Sequence, residues 1–293
     1  MTEHAVVVAG GGPTGLMLAG ELALAGIDVV IVERRASQDL DGSRAGGLHS
    51  RTIEVLDQRG VAERFVSAGQ AHPFVGYAGT FLDISDFPTR YNCMLALWQS
   101  HFERILAGWV GELGVPTLRG CEVVGFAQDD TGVEVELASG GTSLRAEYLV
   151  GCDGGRSVVR KAAGVDFVGL DASTSWMIAE VEMDEEPEFG FRRDSAGTHA
   201  LGRREAGEPI RVVLTERHPD HTGDPSMGEP REALIAVYGT DFGLRSANWI
   251  SRFTDMTRQA VAYRHGRVLL AGTPRTCIPR RAARASTPAC RMP

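Results

Sequence analysis

The feature that most constrains this chain is the run Gly10-Gly11-Gly12-Pro13-Thr14-Gly15, placed between two apolar segments of different period. Before it, Ala5 to Ala9 is a short apolar run with the length of a buried parallel strand. After it, Leu16 to Ala25 is rich in Leu and Ala and predicts a helix that Gly26 ends. Asp28 to Val32 predicts a second strand, closing at Glu33. The glycines at 10, 12 and 15 match G-x-G-x-x-G. In that motif Gly10 permits the tight turn, Gly12 lets backbone approach a pyrophosphate, and Gly15 lets helix pack on strand. The phosphates then meet free N–H groups at a helix N-terminus. Pro13 suits a first-turn position, where no N–H bond is lost. Glu33, about 20 residues on, can accept hydrogen bonds from a ribose diol. A glycine-rich loop alone would be weak evidence. Strand, loop, helix, strand and terminal acid in register point to a dinucleotide, without separating FAD from NAD.

The remaining bulk properties exclude more than they assign. The 293 residues suffice for two packed domains. A net charge of -8 argues against a nucleic-acid partner. No apolar run reaches the roughly 20 residues that span a bilayer, and the N-terminus lacks a signal-peptide layout, so a cytoplasmic location is expected. Cys93, Cys121, Cys152, Cys277 and Cys290 form no CxxC pair, so neither a zinc site nor a disulfide framework is indicated. Lys161 is the only lysine, a bias that a GC-rich gene produces.

The segments that choose between dinucleotides come later. Leu118 to Phe126, Gly132 to Leu137 and Leu144 to Val150 alternate as strands, with Gly140-Gly141 as a turn signal. This predicts a β-meander whose last, buried strand enters Gly151-Cys152-Asp153-Gly154-Gly155-Arg156-Ser157-Val158-Val159-Arg160. The stretch from Tyr148 to Gly164, following a G-x-G-x-x-G unit, resembles the second fingerprint of the para-hydroxybenzoate hydroxylase-like flavoprotein monooxygenases. The resemblance implies that Asp153, with Gly154 and Arg156 beside it, lies near the flavin pyrophosphate and helps accept NADPH or NADH. An Asp-Gly dipeptide by itself would be an ordinary turn.

Further segments resemble the same family. Ser43 to Leu48 and Arg51 to Gly60 match the part after the second strand, which implies that Arg44 contacts flavin phosphate or the nicotinamide cofactor; an arginine fork suits phosphate. The alternative for Arg44 is a solvated loop charge. Arg51 and Arg59 are expected on the exposed face of a helix. Trp98-Gln99-Ser100, leading into a helix from His101 to Leu113, resembles the family's glutamine contact to the flavin ribityl chain; a plain helix-start residue is the alternative for Gln99. The resemblance also places the backbone of Val123 against the adenine and Arg34 among the cofactor contacts. The nearest likeness within the family is to hydroxylases of aromatic polyketides such as angucycline and anthracycline intermediates. It covers nearly all of residues 1–272, and its polyketide part rests on overall likeness rather than on substrate contacts.

The middle of the chain, Phe167 to Thr254, alternates polar and apolar, as in Trp176 to Glu182 and Ile210 to Thr215, and predicts an antiparallel sheet. In the family the corresponding sheet roofs the substrate. Glu205 to Pro230 is polar and predicts loops, with His218 and His221 as solvated loop histidines, since no third ligand sits at metal spacing. Asp255 to Ala260 and Tyr263 to Gly272 resemble the strand that returns to the FAD domain. The expected fold is therefore α/β: a Rossmann-type FAD-binding domain over 1–165 and 256–272 with a β-meander, and an antiparallel-sheet substrate domain over 166–255. The family fold is incomplete.

After Gly272 the likeness stops. Relatives continue with an aspartate that contacts ribityl and phosphate groups and a run of the form G-D-A-A-H-x-x-x-P-x-G-G-Q-G-x-N-x-G. Here Thr273 to Pro293 holds five arginines, no acids and no apolar periodicity. Regrouping the codons by one base, with third bases free and GC-rich, turns the tail into D-A-A-H-V-H-P-P-A-G-G-Q-G-L-N-T-G-V-Q-D-A. The expectation is a one-base frameshift near the Gly272 codon, which leaves residues 273–293 without family structure, Cys277 and Cys290 without chemistry, and the chain with weak flavin retention and poor solubility.

The resemblance implies that NADPH or NADH reduces FAD, that reduced flavin and O2 give the C4a-hydroperoxide, and that this species hydroxylates an electron-rich aromatic ring. The cofactor carries the hard chemistry, which agrees with the lack of a Ser/His/Asp or paired-carboxylate constellation; no catalytic base is assigned. Two other readings remain: an FAD-dependent reductase or dehydrogenase of the same superfamily, and an inactive remnant that is at most a nucleotide-binding module. An NAD-only dehydrogenase would not need the segment at Asp153.

Overall fold

A computed structural model describes residues 3–40, 42, 45–77, 80–138, 143–195, 197–203, 207–216, 225–272 and 276–277. The described residues divide into two compact units, one holding those of 3–168 and 258–277, the other those of 169–257.

In the first unit β1 (Glu3–Ala9) enters α1 (Pro13–Leu24), and β2 (Val29–Glu33) follows. The chain continues through β3 (Gly47–Leu48), α2 (Ser50–Asp57), α3 (Ala62–Val66), β4 (Gln70–His72), the hairpin of β5 (Phe74–Tyr77) and β6 (Thr80–Asp83), and β7 (Met94–Ala96). Next come α4 (Gln99–Glu112), β8 (Thr117–Arg119), the meander β9 (Val123–Gln128), β10 (Val133–Leu137) and β11 (Ser143–Gly151), then α5 (Val158–Ala162) and β12 (Phe167–Leu170). The second unit contains β13 (Ser175–Met183), β14 (Gly190–Asp194), β15 (Gly197–Gly202), β16 (Ile210–Glu216), α6 (Gly228–Tyr238) and β17 (Leu244–Thr254). The chain then returns through β18 (Thr257–Ala260), β19 (Arg264–His265), β20 (Val268–Leu270) and β21 (Thr276–Cys277).

The first unit is built on an eight-stranded sheet whose main path is β19-β20-β11-β1-β2-β8, with β9 and β10 continuing the meander from β11. Strands β20, β11, β1, β2 and β8 run parallel. The apolar runs of β1 and β2 are buried on both faces, as parallel strands covered on both sides must be. Val6, Val8, Val29 and Ile31 pack with α1, α2 and α4 residues, whereas Val7, Ala9, Val30 and Val32 pack with Val133, Val135 and Val268. The period-2 alternation of the meander is legible in the pairing of Val133 with Ala146 and Val135 with Leu144.

The second unit is a five-stranded antiparallel sheet, β14-β15-β16-β13-β17. Ala179, Val181, Val212 and Leu214 form its core with Leu234 of α6. Ile210 to Glu216 is β16, in line with the strand expected over Ile210 to Thr215, whereas the loop expected to run to Pro230 gives way to α6 from Gly228. The helix escapes a pattern reading because it opens on Gly228 with Pro230 in its first turn and buries only Pro230 and Leu234. His218 and His221 lie outside the described residues, as do Gly140 and Gly141.

Smaller differences concern boundaries. The first helix starts at Pro13 rather than Leu16, and the helix expected from His101 starts at Gln99. Arg59 is not a solvated helix residue. It lies beyond the end of α2, and its guanidinium donates to both oxygens of Glu21 on α1, from Nε at 2.5 Å and from Nη2 at 2.7 Å. Of the tail, Thr276–Cys277 pairs with Arg258 and Gln259 of β18; the rest of it lies outside the described residues. No described helix is long and apolar enough to cross a membrane.

Candidate dinucleotide site

Because five strands run parallel, their C-terminal ends meet at one edge, where open α/β sheets bind ligands. That edge gathers Gly10 after β1, Glu33 at the end of β2, Arg119 at the end of β8, Asp153 after β11 and Gly272 after β20.

Gly10 adopts a φ of +109°, and a Cβ there would stand 2.6 Å from the Cys152 carbonyl oxygen and 3.2 Å from Asp153 Cα. The glycine turn is thus pressed against the Cys152-Asp153 turn, and Cys152 N donates to Ala9 O at 2.8 Å. A Cβ on Gly15 would overlap the Gly10 carbonyl. Gly12 behaves otherwise. It caps α1 with extended backbone and no side-chain hydrogen bond, and a Cβ on it would meet nothing within 4 Å. Space therefore lies open over the N-terminus of α1, where Pro13 occupies the first turn and the positive end of the helix dipole faces outward. Gly272, at a φ of +71°, brings the return strand to the same place: a Cβ there would lie 2.6 Å from Thr14 Oγ1.

Glu33 is buried, and both its oxygens are held. Oε2 accepts from Gly11 N at 2.6 Å; Oε1 accepts from Arg35 N at 2.8 Å and Arg35 Nε at 3.2 Å. Burial alone pushes its carboxyl above the ordinary value, but the Arg35 and Gly11 donors outweigh burial and hold it below. Arg34, by contrast, is exposed, while Arg35 turns inward. Gln99 opens α4: its Oε1 accepts from Ala45 N at 3.3 Å, and its Nε2 donates to Glu103 Oε1 at 2.7 Å. Glu103 is 1% exposed and was invisible to sequence reading, which had no reason to separate it from any other helix-surface glutamate.

Asp153 caps α5. Its Oδ1 accepts from Ser157 Oγ at 2.5 Å and its Oδ2 from Val158 N at 2.7 Å and Val159 N at 3.1 Å. Gly154 takes a φ of +86°, Arg156 is exposed, and Arg160 is buried with its guanidinium 4.1 Å from the centre of the Phe167 ring. Val123 is buried at the start of β9 and pairs with Leu137 across the meander; Cys121 N, two residues earlier, donates to Glu33 O at 3.1 Å. Arg44 lies outside the described residues. Burial pushes the Cys152 thiol far up, which makes it an inert packing group.

This edge fits a dinucleotide. Its helix N-terminus is uncapped and open at Gly12, and one of its flanking arginines, Arg119, keeps Nη1 buried with no hydrogen-bond partner among the described residues. The FAD binding domain model matches residues 3–274. The chain belongs to the FAD binding domain family. A rifampicin monooxygenase of Streptomyces venezuelae is 43% identical over 277 residues, an alignment covering 91% of this chain and 57% of the relative. The solved structure of the anhydrotetracycline hydroxylase OxyS from Streptomyces rimosus superposes with a TM-score of 0.87 at 38% identity, covering 95% of this chain and 58% of that one. That of CabE, an aromatic hydroxylase from angucycline biosynthesis, gives 0.86 at 35% identity, covering 94% and 57%. The chain therefore spans little more than half the length of the relatives it matches. The Rossmann-type α/β fold with its antiparallel sheet is the fold expected from the glycine motif and the meander, and FAD is the cofactor of its family.

Proposed function

We propose that this chain carries the flavin-binding portion and the substrate-facing sheet of an FAD-dependent, NAD(P)H-using monooxygenase that hydroxylates an aromatic substrate of polyketide type. The observation that carries this reading is the open, uncapped N-terminus of α1 at Gly12, beside the tethered Glu33, in a chain whose relatives include a rifampicin monooxygenase and an aromatic hydroxylase from angucycline biosynthesis. When bound, FAD takes reducing equivalents from NAD(P)H and activates O2 for transfer to the ring.

The residues have separate duties. The N–H groups of Thr14 and Gly15 receive the pyrophosphate at the helix start, with Gly10, Gly12 and Pro13 shaping the turn. Glu33 accepts from the adenosine ribose, and Arg34 and the backbone of Val123 flank the adenine. Gln99 hydrogen-bonds the ribityl chain. The Asp153-Gly154 turn borders the pyrophosphate and the approach of NAD(P)H, and Arg44 meets phosphate from the loop after β2. No described residue is assigned as a base, since the chain binds, orients and shields while the cofactor reacts. A cytoplasmic setting, with O2 and a small aromatic molecule as the other participants, belongs to the same reading.

The first test is titration of FAD into the purified chain, followed by flavin fluorescence and gel filtration. Saturable quenching at one FAD per chain supports the reading. Flavin that stays free at tens of micromolar protein overturns it for this chain. For the restored full-length protein, NAD(P)H oxidation that rises with an added polyketide phenol and yields a product heavier by one oxygen separates a hydroxylase from a reductase, which would oxidise NAD(P)H without inserting oxygen.

A further inference from the structure

Glu103 is a carboxylate in a helix row that otherwise faces the core, with Leu106 and Val110 buried on the following turns. A buried carboxylate is costly unless its lone pairs are filled. An ordinary ion pair with Arg35 would meet that need. Here the two oxygens are divided between two groups of partners. Oε2 accepts from Gln38 Nε2 at 2.9 Å and from Arg35 Nη1 and Nη2, each at 3.2 Å. Oε1 accepts from Gln99 Nε2 at 2.7 Å. Arg35 and Gln38 each donate onward to Gly11 O, at 3.2 Å and 3.3 Å, and Arg35 Nε reaches Glu33. Gln99 N and Oε1 are joined to Ala45 O and N. One hydrogen-bonded path thus runs from the glycine loop to the start of α4, and Glu103 is its middle.

We propose that Glu103 is a positioning residue of the flavin site, whose acceptor-only carboxylate sets the orientation of the Gln99 amide from an anchor on the Glu33–Arg35 cluster. The proposal rests on the FAD reading above. An amide offers a donor end and an acceptor end that are nearly equal in shape. Ala45 N selects the oxygen end of Gln99, but its bond is long at 3.3 Å. Glu103, having no proton to give as a carboxylate, accepts only from the nitrogen end and removes the flipped orientation. The second amide N–H of Gln99 is then a fixed donor, pre-set for a ribityl oxygen before the cofactor arrives, which lowers the ordering cost of binding. A glutamine at position 103 has the same reach but can present either end, so the selection is lost.

The test compares wild type, Glu103→Gln, Gln99→Ala and the double variant by titrating FAD and, separately, ADP, which carries the pyrophosphate and adenosine but no ribityl chain. The expected result is that E103Q weakens FAD at least tenfold, leaves ADP within threefold, and costs less than threefold in FAD affinity when Gln99 is already alanine. Loss of FAD and ADP affinity by the same factor, or FAD binding by E103Q within twofold of wild type, overturns the proposal. If E103Q does not fold, Glu103→Asp takes its place: it keeps the charge, withdraws the acceptor from Gln99, and is judged by the same criteria. A wild-type chain that binds neither ligand overturns the FAD reading itself, and this inference with it.

Discussion

Gly15 packs directly beneath the carbonyl of Gly10, so closely that a methyl group on Gly15 would overlap that oxygen, whereas Gly12 between them faces empty space. The two positions therefore separate folding from binding. Gly15→Ala forces α1 away from β1 and destabilises the cofactor-free chain by about 1–3 kcal/mol, the usual cost of an overpacked site, which lowers its melting temperature. Gly12→Ala leaves that melting temperature within a degree or two, because its extended φ of -79° suits alanine, yet it weakens FAD at least tenfold by filling the phosphate space. Thermal melts and FAD titrations of both variants check this.

Glu33 gives a pH prediction with a defined sign. Its folded carboxyl is held below the ordinary value of 4.5, burial being outweighed by the Arg35 and Gly11 donors. A depressed folded value means that the carboxylate adds stability above the unfolded value and that this contribution is lost as pH falls through the folded one. Glu33→Gln should therefore be less stable than wild type near neutrality and converge on it below pH 4.5. Melting temperature against pH measures this. Curves that stay parallel down to pH 3 would show that the carboxylate charge contributes nothing.

The parts of the site legible in the sequence are those set by backbone geometry at short range. Gly10, Gly15 and Glu33 lie within one strand-helix-strand unit, and each has a conformational reason that few other residues satisfy. Glu103 had no such signal. A glutamate one turn after Gln99 and next to Arg104 looks like a solvated helix face, and its partners Gln38 and Arg35 lie 65 and 68 residues away. Arg59 was hidden for the same reason, its partner Glu21 being 38 residues back. The α6 helix was missed because its first turn holds a glycine and a proline and its contact with the sheet is narrow. For Glu103 and Arg59 a long-range contact overrode a local pattern that pointed elsewhere.

Helix α1 and helix α4 meet at another glycine. A Cβ on Gly20 would run into the ring of Trp109, which is 4% exposed. Gly20→Ala should destabilise by about 1–3 kcal/mol despite the better helix propensity of alanine. Trp109→Leu frees the space the methyl needs, so the double variant should cost clearly less than the two single costs added. Denaturant melts of the four proteins form the cycle; strict additivity would mean that the two side chains do not compete for that space.

The tail allows a prediction about the gene. We propose that one base is missing or extra near the Gly272 codon, because regrouped codons restore the family's aspartate and glycine-rich run. Resequencing across that codon should reveal a frame that continues in the family's pattern beyond it. A protein expressed from the restored frame should retain FAD through gel filtration at a concentration where the 293-residue chain releases it. An unchanged recorded frame removes the proposal.

Asp255 sets the acid limit of the sheet unit. Its carboxylate accepts from Ser173 N at 2.7 Å, Ser173 Oγ at 2.5 Å and Thr174 N at 2.9 Å, joining the entry to β13 to the end of β17. Burial raises its carboxyl, but these donors outweigh it and bring the folded value from 3.8 to about 2. The sign is the same as for Glu33: the contribution is complete above the unfolded value and fades as pH falls from 3.8 toward 2. Because Asp255 is partly exposed, solvent screens the effect and the loss should be modest. Asp255→Asn keeps an acceptor but loses the charge-assisted bonds, so it should lower stability at pH 7 and flatten the acid limb. Amide hydrogen exchange at Ser173, Thr174 and Asp255 should rise in the variant while β1 and β2 exchange unchanged. Equal acceleration in both units would mean that Asp255 acts on global stability rather than on this junction.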